Sequence, residues 1–275
     1  MKPLVIYHSP CQDGFVAAWA VWKKHPDWDF YPAKYDGKIP EPDVTGREVF
    51  LVDFSYKRPK LLEMAAKAEG ITVLDHHKTA QADLIDLPEN IAVFFNMEKS
   101  GARLAWEYFH SDKDIPEIVL YVEDRDLWRF QYQETKAISQ YLFSHPYDFY
   151  TVEGISAALE NSEVKKQIIS EGDGILRQHN KDVEELIQNR FRMAINGQDV
   201  WVANLPYTLC SDAANQMSKG EPFAATYYYD GEGYIFSLRS QEDGLDVSEI
   251  AKKYGGGGHK HAAGFKIKQP LNLSI

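Results

Sequence analysis

The chain has 275 residues, 44% of them hydrophobic and 26% charged, which is ordinary globular composition and enough for one large domain or two smaller ones. Its two cysteines, Cys11 and Cys210, lie far apart, which excludes a disulfide framework and fits a reducing compartment. The net charge of −11, with no block of Lys and Arg, argues against a binder of long nucleic acid and for any phosphate substrate being small and held locally.

The first apolar run, Leu4 to Tyr7, reads as a buried strand. It is too short for a signal peptide and His8 ends it. No run is long enough to span a bilayer, so a cytoplasmic protein without membrane contact is expected. A helix follows over Phe15 to Lys23, then a strand at Val49 to Val52 and a helix over Pro59 to Glu69 that Gly70 stops. Strands at Ile71 to Leu74 and Ile91 to Phe95 come next, and Ser100 is placed to cap another helix. This alternation predicts an α/β protein, with a parallel sheet carrying helices on both faces in its N-terminal part.

In such sheets ligands sit beyond the carboxyl ends of the strands. His8 ends the first strand, Asp53 follows the second, and Asp75, His76 and His77 follow the third. Asp13 and Gly14 lie in the loop after His8, and Asp124 follows a further apolar helical stretch with Asp126 near it. Mixed imidazoles and carboxylates suit manganese, iron or zinc better than calcium. A pair of such ions about 3.5–4 Å apart, bridged by one carboxylate, can activate water and stabilise phosphoryl charge.

From Glu163 to about Asn196 the pattern is helical and strongly charged, with Gly172 and Gly174 suggesting a break. After a turn at Asn196 to Asp199, three strands are expected, at Val200 to Ala203, Ala224 to Tyr229 and Tyr234 to Leu238. Helices near Ala213 to Met217 and from Ser248 to Tyr254 complete a smaller C-terminal α+β domain. The expected division is 1–160 for the metal-binding domain, 161–197 for a charged connecting helix and 198–275 for the second domain. The run Gly255 to Gly258, followed by His259, is unfavourable to any regular element by propensity and allows main-chain N–H groups to approach an anion.

These motifs resemble the DHH phosphoesterase superfamily. Asp75-His76-His77 is similar to its signature, His8 through Gly14 to its first motif, Val52 to Ser55 to its second and Asp124 to its fourth-motif aspartate. Ser237 through Phe265, with the glycine run, resembles the DHH-associated domain. The resemblance implies His8, Asp13, Asp53, His76 and Asp124 as metal ligands, Asp53 as the bridge, and two Mn2+ ions. It implies that His77 meets substrate phosphate while Asp75 orients the histidines. Arg239, Ser240, Gly257, Gly258 and His259 would hold the substrate's nucleotide or terminal phosphate.

One departure stands out: Cys11 occupies the place of the first aspartate of the family's first motif. A thiolate there can ligate a metal and would favour iron or zinc, or Cys11 can be a small residue lining the loop. The expected activity is hydrolysis of phosphodiester bonds in short oligonucleotides or cyclic or linear dinucleotides. The alternatives are a phosphoanhydride hydrolase acting on pyrophosphate or polyphosphate, and a catalytically impaired nucleotide-binding module. Trp128, Tyr147 and Tyr150 are aromatics of the kind that stack on bases. A homodimer is compatible with the sequence, which does not fix oligomeric state.

Overall fold

The computed structural model describes residues 1–35 and 40–268. The chain divides into two compact units, Met1–Leu176 and Arg177–Ile275.

The first unit is built on five parallel strands, β1 (Leu4–His8), β2 (Asp29–Ala33), β3 (Glu48–Val52), β4 (Gly70–Asp75) and β5 (Ile91–Phe95), in the order β2-β1-β3-β4-β5. Alternate side chains feed two cores. Leu4, Ile6, Leu51 and Val73 pack with Leu61 and Met64 of helix α2 (Arg58–Ala65) on one face. Val5, Tyr7, Val52 and Leu74 pack on the other face against α1 (Gln12–Lys24), α4 (Gly101–Phe109) and α5 (Glu117–Asp126), with Trp19 stacked on Trp106. Strands buried on both faces read as continuous apolar runs, which is why they were legible. The short α3 (Lys78–Asp83) precedes β5, while α6 (Thr135–Phe143), α7 (Phe149–Leu159) and most of α8 (Ser162–Leu186) complete the unit.

Sequence reasoning missed β2. Its Pro32 argues against a strand, but β2 is the sheet edge, where a missing N–H donor is tolerated. The expected break in α8 is also absent. A Cβ at Gly172 would overlap the main chain of Ala137 in α6, so this glycine permits close helix packing rather than ending a helix. Ser100 caps α4 as expected, its hydroxyl accepting the Arg103 N–H at 3.2 Å.

The second unit holds a six-stranded mixed sheet, β6 (Phe191–Ile195), β7 (Gln198–Asn204), β8 (Ala224–Tyr229), β9 (Tyr234–Arg239), β10 (Gly257–His259) and β11 (Ala262–Ile267), in the order β10-β11-β9-β8-β7-β6. Helices α9 (Cys210–Met217) and α10 (Val247–Lys253) accompany it. Three of these strands were not expected. Phe191–Ile195, assigned to the charged helix, turns at Asn196 and Gly197 to pair with β7. Gly257–His259 and Ala262–Ile267 form a hairpin, so the glycine run enters the sheet. Among the described residues no helix is long and apolar enough to cross a membrane.

Candidate metal centre

The strand order reverses between β1 and β3, because β2 adds to one side of β1 and β3 to the other. Ligand sites in open α/β sheets form at such a point. His8 ends β1 and Asp53 directly follows β3, so the reversal places both at one crevice. Asp53 has φ +52°, a left-handed conformation that Asp tolerates better than most residues, and its N–H donates to the Leu74 carbonyl of β4. That bend turns the carboxylate out of the sheet toward His8 and His76.

The two oxygens of Asp53 face different histidines. Oδ1 lies 3.1 Å from Nε2 of His76, and Oδ2 lies 3.5 Å from Nδ1 of His8. Around them lie groups of possible ligands, His8 with Cys11 and Asp53, Asp53 with Asp75 and His77, and Asp13 with His76 and Asp126, the donor atoms within each lying no more than 4.8 Å apart. His76 Nε2 is 3.6 Å from Asp13 and 3.5 Å from Asp126.

The carboxyls and imidazoles gathered here shift one another strongly. Burial pushes the Asp13 carboxyl well up, and Asp53 and Asp126 push it further. Burial also pushes the Cys11 thiol well up, again helped by Asp53, Asp126 and Asp13. Burial would raise Asp53 too, but the bond to His76 and the approach of His8 outweigh it and hold Asp53 well below the usual carboxylate range. His76 moves the other way: burial disfavours its charge, yet Asp53, Asp126 and Asp13 bring it up to about 10. Nδ1 of His8 is buried with no hydrogen-bond partner. An unbonded imidazole nitrogen aimed at a carboxylate, amid carboxyls whose pKa burial and mutual repulsion raise, fits a divalent cation that ligates the one and offsets the repulsion among the others.

Asp13 has a second task. Its Oδ2 accepts the Gly101 N–H at 2.6 Å and its Oδ1 the Ala102 N–H at 2.9 Å, so it caps the start of α4. Asp75, fully buried at the end of β4, accepts from the His76 N–H at 2.8 Å and pairs with Nδ1 of His77 at 2.6 Å. This fixes the ring of His77, and Asp75 outweighs burial in raising its pKa. Tyr35, which sequence reasoning did not pick, stands edge-on to His8 at 5.1 Å between ring centres.

Asp124 is not brought into these groups. Its buried carboxylate accepts the N–H groups of Gln131 at 2.8 Å and Tyr132 at 3.2 Å and the hydroxyl of Thr135. Asp126 stands where Asp124 was expected. Two residues apart on α5, the acids point to different sides, one into the following loop and one toward His76. The pair Asp124 and Asp126 was visible in sequence, but the helix end that separates their roles was not.

In the second unit, Arg239 ends β9 beside Ala262 and Ala224, its guanidinium donating to the Leu238 carbonyl at 2.8 Å and the Ser211 hydroxyl at 2.7 Å. Ser240 Oγ is 2.9 Å from Nδ1 of His261. Gly258, at φ +139°, pairs with Ala263, and a side chain there would overlap the β11 main chain. Arg239, Ser240 and the strand Gly257–His259 thus belong to one end of this sheet.

The fold and the cluster define an α/β protein with a candidate centre for divalent cations at the strand ends. Residues 204–274 match the DHHA1 domain family. In fold the chain is similar to the DHH domain of a member of the s1p family of ribosomal proteins, with TM-score 0.61, 14% identity, and coverage of 96% of this chain and 82% of that one. It is also similar to an exopolyphosphatase-related protein from Bacteroides fragilis, with TM-score 0.53, 14% identity, and coverage of 98% and 88%. Among sequences it is 30% identical to the uncharacterized protein R106 of Acanthamoeba polyphaga mimivirus, over 95% of this chain and 66% of that relative, so it spans just under two thirds of that protein's length. Residues 204–274 thus carry the DHHA1 match, and the fold of the chain is similar to that of a DHH domain.

Proposed function

We propose that this protein is a metal-dependent phosphoesterase that hydrolyses phosphodiester bonds of short oligonucleotides or dinucleotides. The observation that carries the reading is the carboxylate of Asp53, with one oxygen toward His76 and the other toward His8. One oxygen thus faces His8, which groups with Cys11, and the other faces His76, which groups with Asp13 and Asp126. Divalent ions held there would supply Lewis acidity toward phosphoryl oxygens and lower the pKa of water. Manganese suits the carboxylates and imidazoles, and Cys11 brings iron and zinc into contention.

The chain's own groups do the rest. Asp75 holds the ring of His77 so that it meets the substrate phosphate in one orientation and stabilises charge developing on its oxygens. Asp13 ties the first turn of α4 to the centre. An anion-binding role for Arg239, Ser240, Gly257, Gly258 and His259 belongs to the same proposal, with Arg239 offering a planar fork that matches phosphate oxygens. The net charge of −11 supports a small substrate over a long polyanion.

The test is hydrolysis of a dinucleotide by the Mn2+-loaded protein and by Asp53→Ala, with inorganic pyrophosphate run alongside. Turnover of the dinucleotide that Asp53→Ala abolishes is the expected result. Undiminished turnover in Asp53→Ala rejects the assignment of the centre, and preference for pyrophosphate moves the protein to the phosphoanhydride class. Nucleotide binding without uptake of any transition metal identifies an impaired binding module.

A further inference from the structure

The loop between α5 and α6 is not used by the chemistry above, yet it is strained and firmly held. Trp128 has φ +58° and Phe130 φ +50°, a region that bulky L residues seldom occupy. The carboxylate of Asp124 binds the N–H groups of Gln131 and Tyr132 and the hydroxyl of Thr135. Its carbonyl takes the N–H of Arg129 at 2.9 Å and of Phe130 at 3.4 Å. Arg129 also donates to the Glu98 carbonyl at 2.8 Å, tying the loop to the segment after β5. Such over-determination is what lets strain persist.

The strain serves the side chains. The Arg125 guanidinium carbon lies 4.1 Å over the Trp128 ring, and the Trp128 and Phe130 rings meet edge to face at 5.2 Å. Lys136 Nζ lies 4.8 Å over Phe130. Trp128 is only half-buried, so this is not a core. The group starts beside Asp126, whose carboxylate is 3.5 Å from His76. Glycine at position 128 would relieve the backbone, so the indole needs a role that offsets its cost. A partly exposed indole with a guanidinium against one face suits a planar ligand that stacks on the ring.

We propose that Trp128, backed by Arg125 and presented by the loop that Asp124 pins, is a stacking platform for a nucleobase next to the metal centre. This deepens the phosphoesterase reading, on which it rests, by naming the residue that would recognise the base of the substrate.

The experiment is calorimetric titration of AMP and of inorganic pyrophosphate into the full Mn2+-loaded chain, for wild type, Trp128→Gly and Trp128→Phe. Trp128→Gly should weaken AMP binding by about 5- to 150-fold, the loss that removing one base–aromatic stack entails. Pyrophosphate affinity should be unchanged, and Trp128→Phe should keep AMP affinity within a few-fold of wild type because the stacking face remains. Unchanged AMP affinity in Trp128→Gly overturns the proposal, as does equal weakening of AMP and pyrophosphate or a wild type that binds pyrophosphate but no AMP. The phosphoesterase reading fails separately, when wild type turns over no phosphodiester, since AMP affinity does not depend on turnover.

Discussion

Gly101 touches the candidate bridge: a Cβ built on it overlaps Cβ of Asp53 and comes within 2.9 Å of Asp13 Oδ2. Gly14 does the same from α1, where a Cβ would overlap the His8 carbonyl and lie 3.0 Å from Asp53 Oδ2. Two helix starts therefore close on one carboxylate, and only residues without side chains allow it.

Gly101→Ala should accordingly displace Asp53. The expected cost is about 1–3 kcal/mol, typical of overpacking a filled site, together with weaker Mn2+ binding. Thermal melts of the metal-free protein and calorimetric Mn2+ titration check both. A variant with wild-type melting and wild-type affinity would show that the contact is slack.

The titration of His76 sets a pH dependence. Its folded pKa of about 10 lies above the ordinary 6.5, so its contribution to the stability of the metal-free protein is complete below 6.5 and is lost as pH rises through about 10. Asp53 has the opposite sign, contributing above the ordinary 3.8 and losing that contribution as pH falls through its depressed folded value. A metal must displace the His76 proton, so Mn2+ affinity should climb with pH between 6.5 and 10 by up to about tenfold per unit. Affinity that is flat across that window would contradict a role for His76 as ligand.

Asp124 and Asp126 should separate in mutagenesis. Asp124→Ala leaves the N–H groups of Gln131 and Tyr132 without their acceptor and should lower stability by about 1–3 kcal/mol. Asp126→Asn should leave melting of the metal-free protein near wild type and weaken metal binding. Denaturant melts paired with metal titration decide, and the reverse pattern would return Asp124 to the centre.

Cys11 offers a chemical test of the first ligand group. Cys11→Asp, which replaces the thiol with a carboxylate, should shift preference from zinc toward manganese, because carboxylate is the harder ligand. Competition between the two metals, read by elemental analysis after dialysis, measures it. An unchanged ratio would leave Cys11 as lining of the loop.

The strands that carry the centre were legible because β1, β3 and β4 are buried on both faces and read as apolar runs ending in polar ligands. His8, Asp53 and His76 could be placed together from that pattern alone. Asp126 was passed over for Asp124 because choosing between acids two apart depends on the orientation at the end of α5 and on the loop that Asp124 caps. The strands Phe191–Ile195 and Ala262–Ile267 were missed for other reasons. The first follows a long charged helix without a Pro or Gly between, and the second follows a glycine run whose strand character exists only in its pairing. Left-handed Trp128 leaves no trace in composition at all.

The central claim is that Asp53 joins two cation sites, and anomalous diffraction from crystals grown with Mn2+ tests it most directly. The account predicts two peaks about 3.5–4 Å apart, one among His8, Cys11 and Asp53 and the other among His76, Asp13, Asp126 and Asp53. A map with no ion in coordination range of Asp53 would contradict it.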